Sequence, residues 1–91
     1  MYLLNAFSLQ MISTPATIKV EEVKELPTGL ESAVGHKDTA AVLGVEFSRI
    51  NVRLEKGDTA YIAQLAGGRL PEGSTTLPEG FSFKFLKVTI E

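Results

Sequence analysis

The sequence predicts a small single-domain α/β protein, a mixed sheet of about five strands flanked by short helices. Three observations lead there. Short apolar or alternating runs recur along the chain, each bounded by Gly, Pro, Ser or Asn. One run, Ala40 to Leu43, has helical character and lies between possible caps. The 91 residues, with 44% hydrophobic and 22% charged side chains, suit one folded core, so residues 1–91 read as one domain.

In order, Met1 to Asn5 reads as a short strand. Its continuous apolar run, Tyr2-Leu3-Leu4, implies burial on both faces. Ala6 to Ser13 reads as irregular or a short turn. Ala16 to Val23 alternates, with Ile18 and Val20 on one face and Lys19 and Glu21 on the other, and predicts a half-buried strand. Lys24 to Gly29 contains Pro27 and Gly29 and reads as a turn, and Leu30 to Val34 is ambiguous. A helix of at most two turns follows, capped by Asp38 or Thr39 and ended by Gly44. Val45 to Leu54 predicts a strand with Val45, Phe47, Ile50 and Val52 inward and a bulge between Phe47 and Ile50. Glu55 to Asp58 forms a hairpin turn around Lys56-Gly57. Thr59 to Ala66 then returns antiparallel to the preceding strand. Gly67 to Gly80 is a loop, and Phe81 to Ile90 is a strand with Phe81, Phe83 and Phe85 on one face.

Composition narrows the function. A domain this small buries only about 60% of the surface its unfolded chain exposes. With no cysteine, neither a disulfide nor a thiolate metal site compensates, which leaves oligomerisation. A single histidine and no cysteine disfavour zinc, and no metal or cofactor is expected. No apolar run approaches the ~20 residues of a membrane span. Met1 to Ser8 lacks a basic region and is too short for a signal peptide, so a cytoplasmic protein is expected. The net charge of −2 argues against a general binder of duplex nucleic acid, yet permits a few basic residues around one small anion.

Several residues stand out chemically. His36, between Gly35 and the helix start, is either a structural or exposed histidine or a general acid near neutral pH. Arg69-Leu70-Pro71-Glu72-Gly73 is either a polar turn with a surface ion pair or an arginine fork for phosphate, with Glu72 on a ribose hydroxyl. Asn5-Ala6-Phe7-Ser8 ends the first strand. Asn5 and Ser8 are turn formers or neutral donors for a phosphate or base, and Phe7 reads as core rather than a stacking platform. Lys37 and Thr39 lie beside the helix start, where backbone N–H groups favour anions. Arg49 and Arg53 share the strand expected over Val45 to Leu54 and read as solvated or anion-facing. No phosphate-binding glycine loop, dinucleotide fingerprint or paired cysteine motif occurs.

Taken in order, Asn5-Ala6-Phe7-Ser8, Gly35-His36 with Thr39, Arg49 leading into Leu54-Glu55-Lys56-Gly57-Asp58, and Arg69-Leu70-Pro71-Glu72-Gly73 make the chain resemble the viral ring nucleases. These are anti-CRISPR proteins directed against type III systems, with relatives in bacterial genomes. The resemblance spans nearly the whole chain. It implies a homodimer that holds cyclic tetra-adenylate across its two-fold interface. It further implies metal-independent cleavage into linear di-adenylates with cyclic phosphate ends. Carried onto this sequence, it makes His36, Arg69 and Glu72 catalytic, with ligand bound by Asn5, Ala6, Phe7, Ser8, Gly35, Lys37, Thr39 and Arg49. Two features depart from the pattern. Ser74 to Gly80 is short where relatives carry a longer helical segment, and Gly68 stands where they have a polar residue. Alternatives to the nuclease are a dimer that only sequesters cyclic oligoadenylate, a nucleic-acid-binding regulator, and a structural dimer without ligand.

Overall fold

The structure is a computed structural model that describes residues 1–12 and 15–91. Five strands form one mixed sheet: β1 (Tyr2–Leu4), β2 (Ile18–Val23), β3 (Glu31–Ala33), β4 (Thr59–Ala66) and β5 (Ser82–Ile90), in the order β2-β5-β4-β1-β3. Among the described residues, one helix, α1 (Lys37–Leu43), lies between β3 and β4, and one 3-10 turn spans Leu9–Met11. This is the α/β mixed sheet expected from the sequence. The end of the stretch expected to be irregular, Ser13, lies outside the described residues.

The short apolar run at the N-terminus occupies an interior position. β1 pairs in parallel with both β3 and β4, through Leu3↔Ser32 on one side and Leu3↔Tyr61 on the other. Successive strand residues point to opposite faces, so Leu3 and Leu4 enter different cores, and each is 2% exposed. Leu4 joins Ala60, Ile62, Val88, Ile90, Val52 and Leu54. Leu3 joins Val34, Ala40, Tyr61 and Ala63, with Leu43, Phe83 and Phe85 packed against them. A helix covers one face and the stretch around Val52 and Leu54 the other. That two-sided covering is why β1 reads as a continuous apolar run. Phe83 and Phe85 share a face as expected, with rings stacked 6.2 Å apart.

The expected strand over Val45 to Leu54 does not form. The segment makes two isolated parallel bridges, Val34↔Phe47 and Ile12↔Leu54, and is otherwise irregular. The expected antiparallel pairing between residues 45 and 66 fails for a physical reason. Both hydrogen-bonding edges of β4 are taken, one by β1 in parallel and the other by β5 antiparallel. The segment is displaced onto a sheet face instead. Val52 and Leu54 are buried there and Val45 is half-buried, while Phe47 and Ile50, expected inward, are each 44% exposed. The turn at Lys56-Gly57 does form: Asp58 N–H donates to the Glu55 carbonyl at 2.9 Å, and Glu55 N–H to Asp58 Oδ2 at 2.8 Å.

Two smaller expectations also change. β2 is an edge strand paired only with β5, and Val20, expected to share a buried face with Ile18, is exposed. The N-cap of α1 is His36 rather than Asp38 or Thr39. Asp38 lies in the first turn, and Gly44 (φ 72°) ends the helix as expected.

Candidate functional site

β1, β3 and β4 run parallel, so their carboxyl ends lie together. In sheets of this kind, ligand crevices form outside those ends, where the connecting loops diverge. The residues just past them are Asn5 after β1, Val34-Gly35-His36 after β3, and Gly67-Gly68-Arg69 after β4. A cleft of about 290 Å³ opens there, lined by Asn5, His36, Thr39, Gln64, Gly68 and Arg69 over a floor of Ala63, Leu65 and Leu70.

Each polar residue arrives by its own local logic. Asn5 is half-buried, and its Oδ1 accepts a hydrogen bond from Gly35 N–H at 3.1 Å, tying the end of β1 to the stretch leading into α1. That leaves the Asn5 amide NH₂ as its remaining donor. His36 has extended backbone (φ −116°, ψ 115°), and its carbonyl accepts from Ala40 N–H, so it begins the helix through its main chain. Its imidazole makes no capping bond and is exposed at the cleft. Thr39, in the first turn of α1, is 6% exposed. Arg69 is exposed in the loop, beside Leu70, which is 5% exposed and seats the loop in the core. The lining carries one arginine, one histidine and no carboxylate. It is a basic spot on an acidic chain, suited to an anion.

Other residues singled out from the sequence lie elsewhere. Gly35, Ala6 and Arg49 line a neighbouring cleft of about 310 Å³ that shares Asn5 with the first. Arg49 Nε donates to the Gly35 carbonyl at 3.1 Å, and its guanidinium lies 5.4 Å from the Phe47 ring centre. Gly35 is thus held from both sides, by Asn5 on its N–H and Arg49 on its carbonyl. Ser8 caps the 3-10 turn, its hydroxyl accepting from Gln10 N–H at 3.3 Å, and lines a third cleft with Arg53. Phe7 packs against the core. Lys37 and Glu72 are exposed and outside the lining of the first cleft.

The sequence reading missed Gln64. It lies near the end of β4, exposed, within an otherwise apolar run from Ala60 to Ala66. A polar residue interrupting such a run was the available signal. Also missed was the contact of Asp38 with the Arg69 loop, where Asp38 Oδ1 accepts from Gly73 N–H at 3.3 Å. Among the described residues, no group of three or more His, Cys, Asp or Glu gathers as a metal site, and no helix is long and apolar enough to cross a membrane.

Comparison with known proteins matches the chain to one family model and to solved structures. The family model described as STIV B116-like matches residues 1–82. Among solved structures, B116 of Sulfolobus turreted icosahedral virus (STIV) is similar, at 25% sequence identity and a TM-score of 0.77, over 97% of each chain. No curated protein matches the chain.

Proposed function

This chain belongs to the STIV B116-like family, and from that premise we propose that it is a ring nuclease. It would act as a metal-independent phosphodiesterase that opens cyclic tetra-adenylate into linear di-adenylates with 2′,3′-cyclic phosphate ends, switching off type III CRISPR signalling. One observation carries the reading. Asn5, His36, Thr39 and Arg69, from three distant parts of the sequence, line one cleft at the carboxyl ends of parallel strands. All four belong to the stretches that resemble the viral ring nucleases.

The chemistry needs little beyond these groups. RNA carries its own nucleophile, so positioning is most of the task. A ribose 2′-oxygen attacks the adjacent phosphorus, the 2′-O–P bond forms, and the P–O5′ bond breaks in line with it. The hydroxyl proton passes to solvent. His36 donates a proton to the departing O5′, a contribution of roughly 10²–10⁴-fold. Arg69 balances the charge growing on the non-bridging oxygens. Asn5 and Thr39 hold the ring, and Glu72, at the exposed tip of the loop, reaches over to position a sugar. A ring of four nucleotides outsizes a single cleft of about 290 Å³. The reading therefore includes a homodimer in which two clefts face one ring, so that two-fold protein symmetry yields two cuts and two identical products. Gly35, Lys37 and Arg49, with the stretch from Ala6 to Ser8, would complete the ligand surface. The protein would act in the cytoplasm.

A second reading, a dimer that sequesters the ring intact, is favoured by one fact: Glu72 lies outside the cleft. Incubation with cyclic tetra-adenylate in EDTA, with products resolved by chromatography, separates the two. Linear di-adenylate from the wild type and none from His36→Ala supports the nuclease. An intact ring that co-elutes with the protein supports sequestration, and neither binding nor cleavage refutes both.

A further inference from the structure

We propose that Asp38 is a positioning residue, a clasp that holds the Arg69 loop against α1 so that Arg69 and His36 face the same cleft. The inference rests on the nuclease reading for its catalytic consequence, though not for the clasp itself. The loop between β4 and β5 contains a closed turn over Pro71 to Ser74. Ser74 N–H donates to the Pro71 carbonyl at 3.2 Å, and the Ser74 hydroxyl donates to the same oxygen at 2.6 Å. Gly73 takes the third position of that turn with φ 79°, a conformation that favours glycine. Its N–H is not used by the turn and donates to Asp38 Oδ1.

Asp38 lies two residues after His36 and one before Thr39, on the helix that carries both. One carboxylate thus fixes the distance between the helix of the proposed acid and the loop of the proposed anion clamp. Leu70 provides the other anchor, buried between Arg69 and the turn. The remaining path from the end of β4 to Arg69 passes through Gly68, at φ 118° with open space where a Cβ would stand, and that residue supplies little stiffness of its own. Without the clasp the loop samples undocked positions. Ligand affinity falls by the fraction of time spent docked, while the rate at saturation is kept, because bound ligand selects the docked form.

The experiment compares wild type, Asp38→Ala and Asp38→Asn, using cleavage of cyclic tetra-adenylate and hydrogen exchange at the Gly73 amide. Asn keeps an acceptor oxygen at the same place and removes the charge. For Asp38→Ala, KM is expected to rise about five- to tenfold with kcat within about twofold, and Gly73 exchange to quicken by about the same factor. Asp38→Asn is expected to restore most of both. Unchanged Gly73 exchange in Asp38→Ala overturns the clasp. So does a fall in kcat at constant KM, or an Asp38→Asn variant as impaired as Asp38→Ala. A wild type that neither binds nor cleaves the ring refutes the nuclease reading and the catalytic consequence with it, while the exchange comparison still decides whether Asp38 holds the loop.

Discussion

Gly67 and Gly68 offer a matched test of where the loop between β4 and β5 is held. Their φ angles are nearly the same, 114° and 118°, in a region that L side chains rarely adopt. Their surroundings differ. A Cβ on Gly67 would lie 2.8 Å from the Gly80 carbonyl oxygen and 2.9 Å from Phe81 Cα, both main-chain atoms just before β5. A Cβ on Gly68 meets nothing within 4 Å. Gly68→Ala therefore carries backbone strain alone, about 1–3 kcal/mol. Gly67→Ala carries a similar strain plus an overpacking cost of about 1–3 kcal/mol, since no side chain can swing away. The gain from restricting the unfolded chain is common to both and cancels in the comparison. A difference of about 2 kcal/mol corresponds to roughly 8–16 °C in Tm for a domain of this size. Thermal unfolding followed by circular dichroism measures it. If the two variants melt within about 2 °C of each other, close backbone contact at Gly67 does not constrain the fold and the reasoning fails.

Other expectations follow from burial and charge. Leu70→Ala removes the loop's buried anchor and is expected to cost about 2–4 kcal/mol in urea unfolding; a loss under about 0.5 kcal/mol would mean that the loop is not seated in the core. Leu54, 2% exposed within an irregular segment, belongs to the main core cluster, so Leu54→Ala is expected to cost about 2–5 kcal/mol, and a surface-like value would show that the 45–54 segment is not part of the core. The Glu21 carboxyl is drawn below its ordinary 4.5 by a hydrogen bond from Lys19 and by that ammonium's charge, and Lys19 is correspondingly raised above 10.5. The carboxylate's contribution is present above pH 4.5 and lost as pH falls through its lowered value, while that of the ammonium is present below pH 10.5 and lost as pH rises through its raised value. Both groups are exposed, so salt screens the pair. An NMR titration should place the Glu21 midpoint below 4.5, and Lys19→Met should move it upward; an unmoved midpoint would sink this account.

The elements legible in the sequence are those whose signals are local. The apolar run at Tyr2-Leu3-Leu4, the alternating phenylalanines of β5, the turn at Lys56-Gly57 and the αL glycine after α1 each state their geometry within a few residues. The 45–54 segment misleads because its strand-like alternation is real, while its pairing depends on which strand takes each edge of β4. That competition is won by β1 and β5, more than ten residues away on either side. Val20 misleads for the converse reason, since alternation says which residues share a face but not whether the sheet's end leaves that face uncovered. In the candidate site, His36, Thr39, Asn5 and Arg69 were legible as residue types, and the parallel strands bring them to one cleft. Gln64 and the Asp38–Gly73 contact were not, because strand position and a loop's resting place are tertiary facts.

The strand order carries a consequence for how the chain reaches this state. β1, first in sequence, lies inside the sheet between strands that begin at Glu31 and Thr59. Its parallel partners cannot be reached by a tight turn, so two long closures must precede any stable pairing. Topologies dominated by such distant contacts fold in milliseconds to seconds rather than microseconds. Asn5, His36 and Arg69 converge only once those closures are made, so the cleft cannot form before β1 meets both partners. A mutation at the far end of β4 can then delay its appearance without touching any residue that lines it.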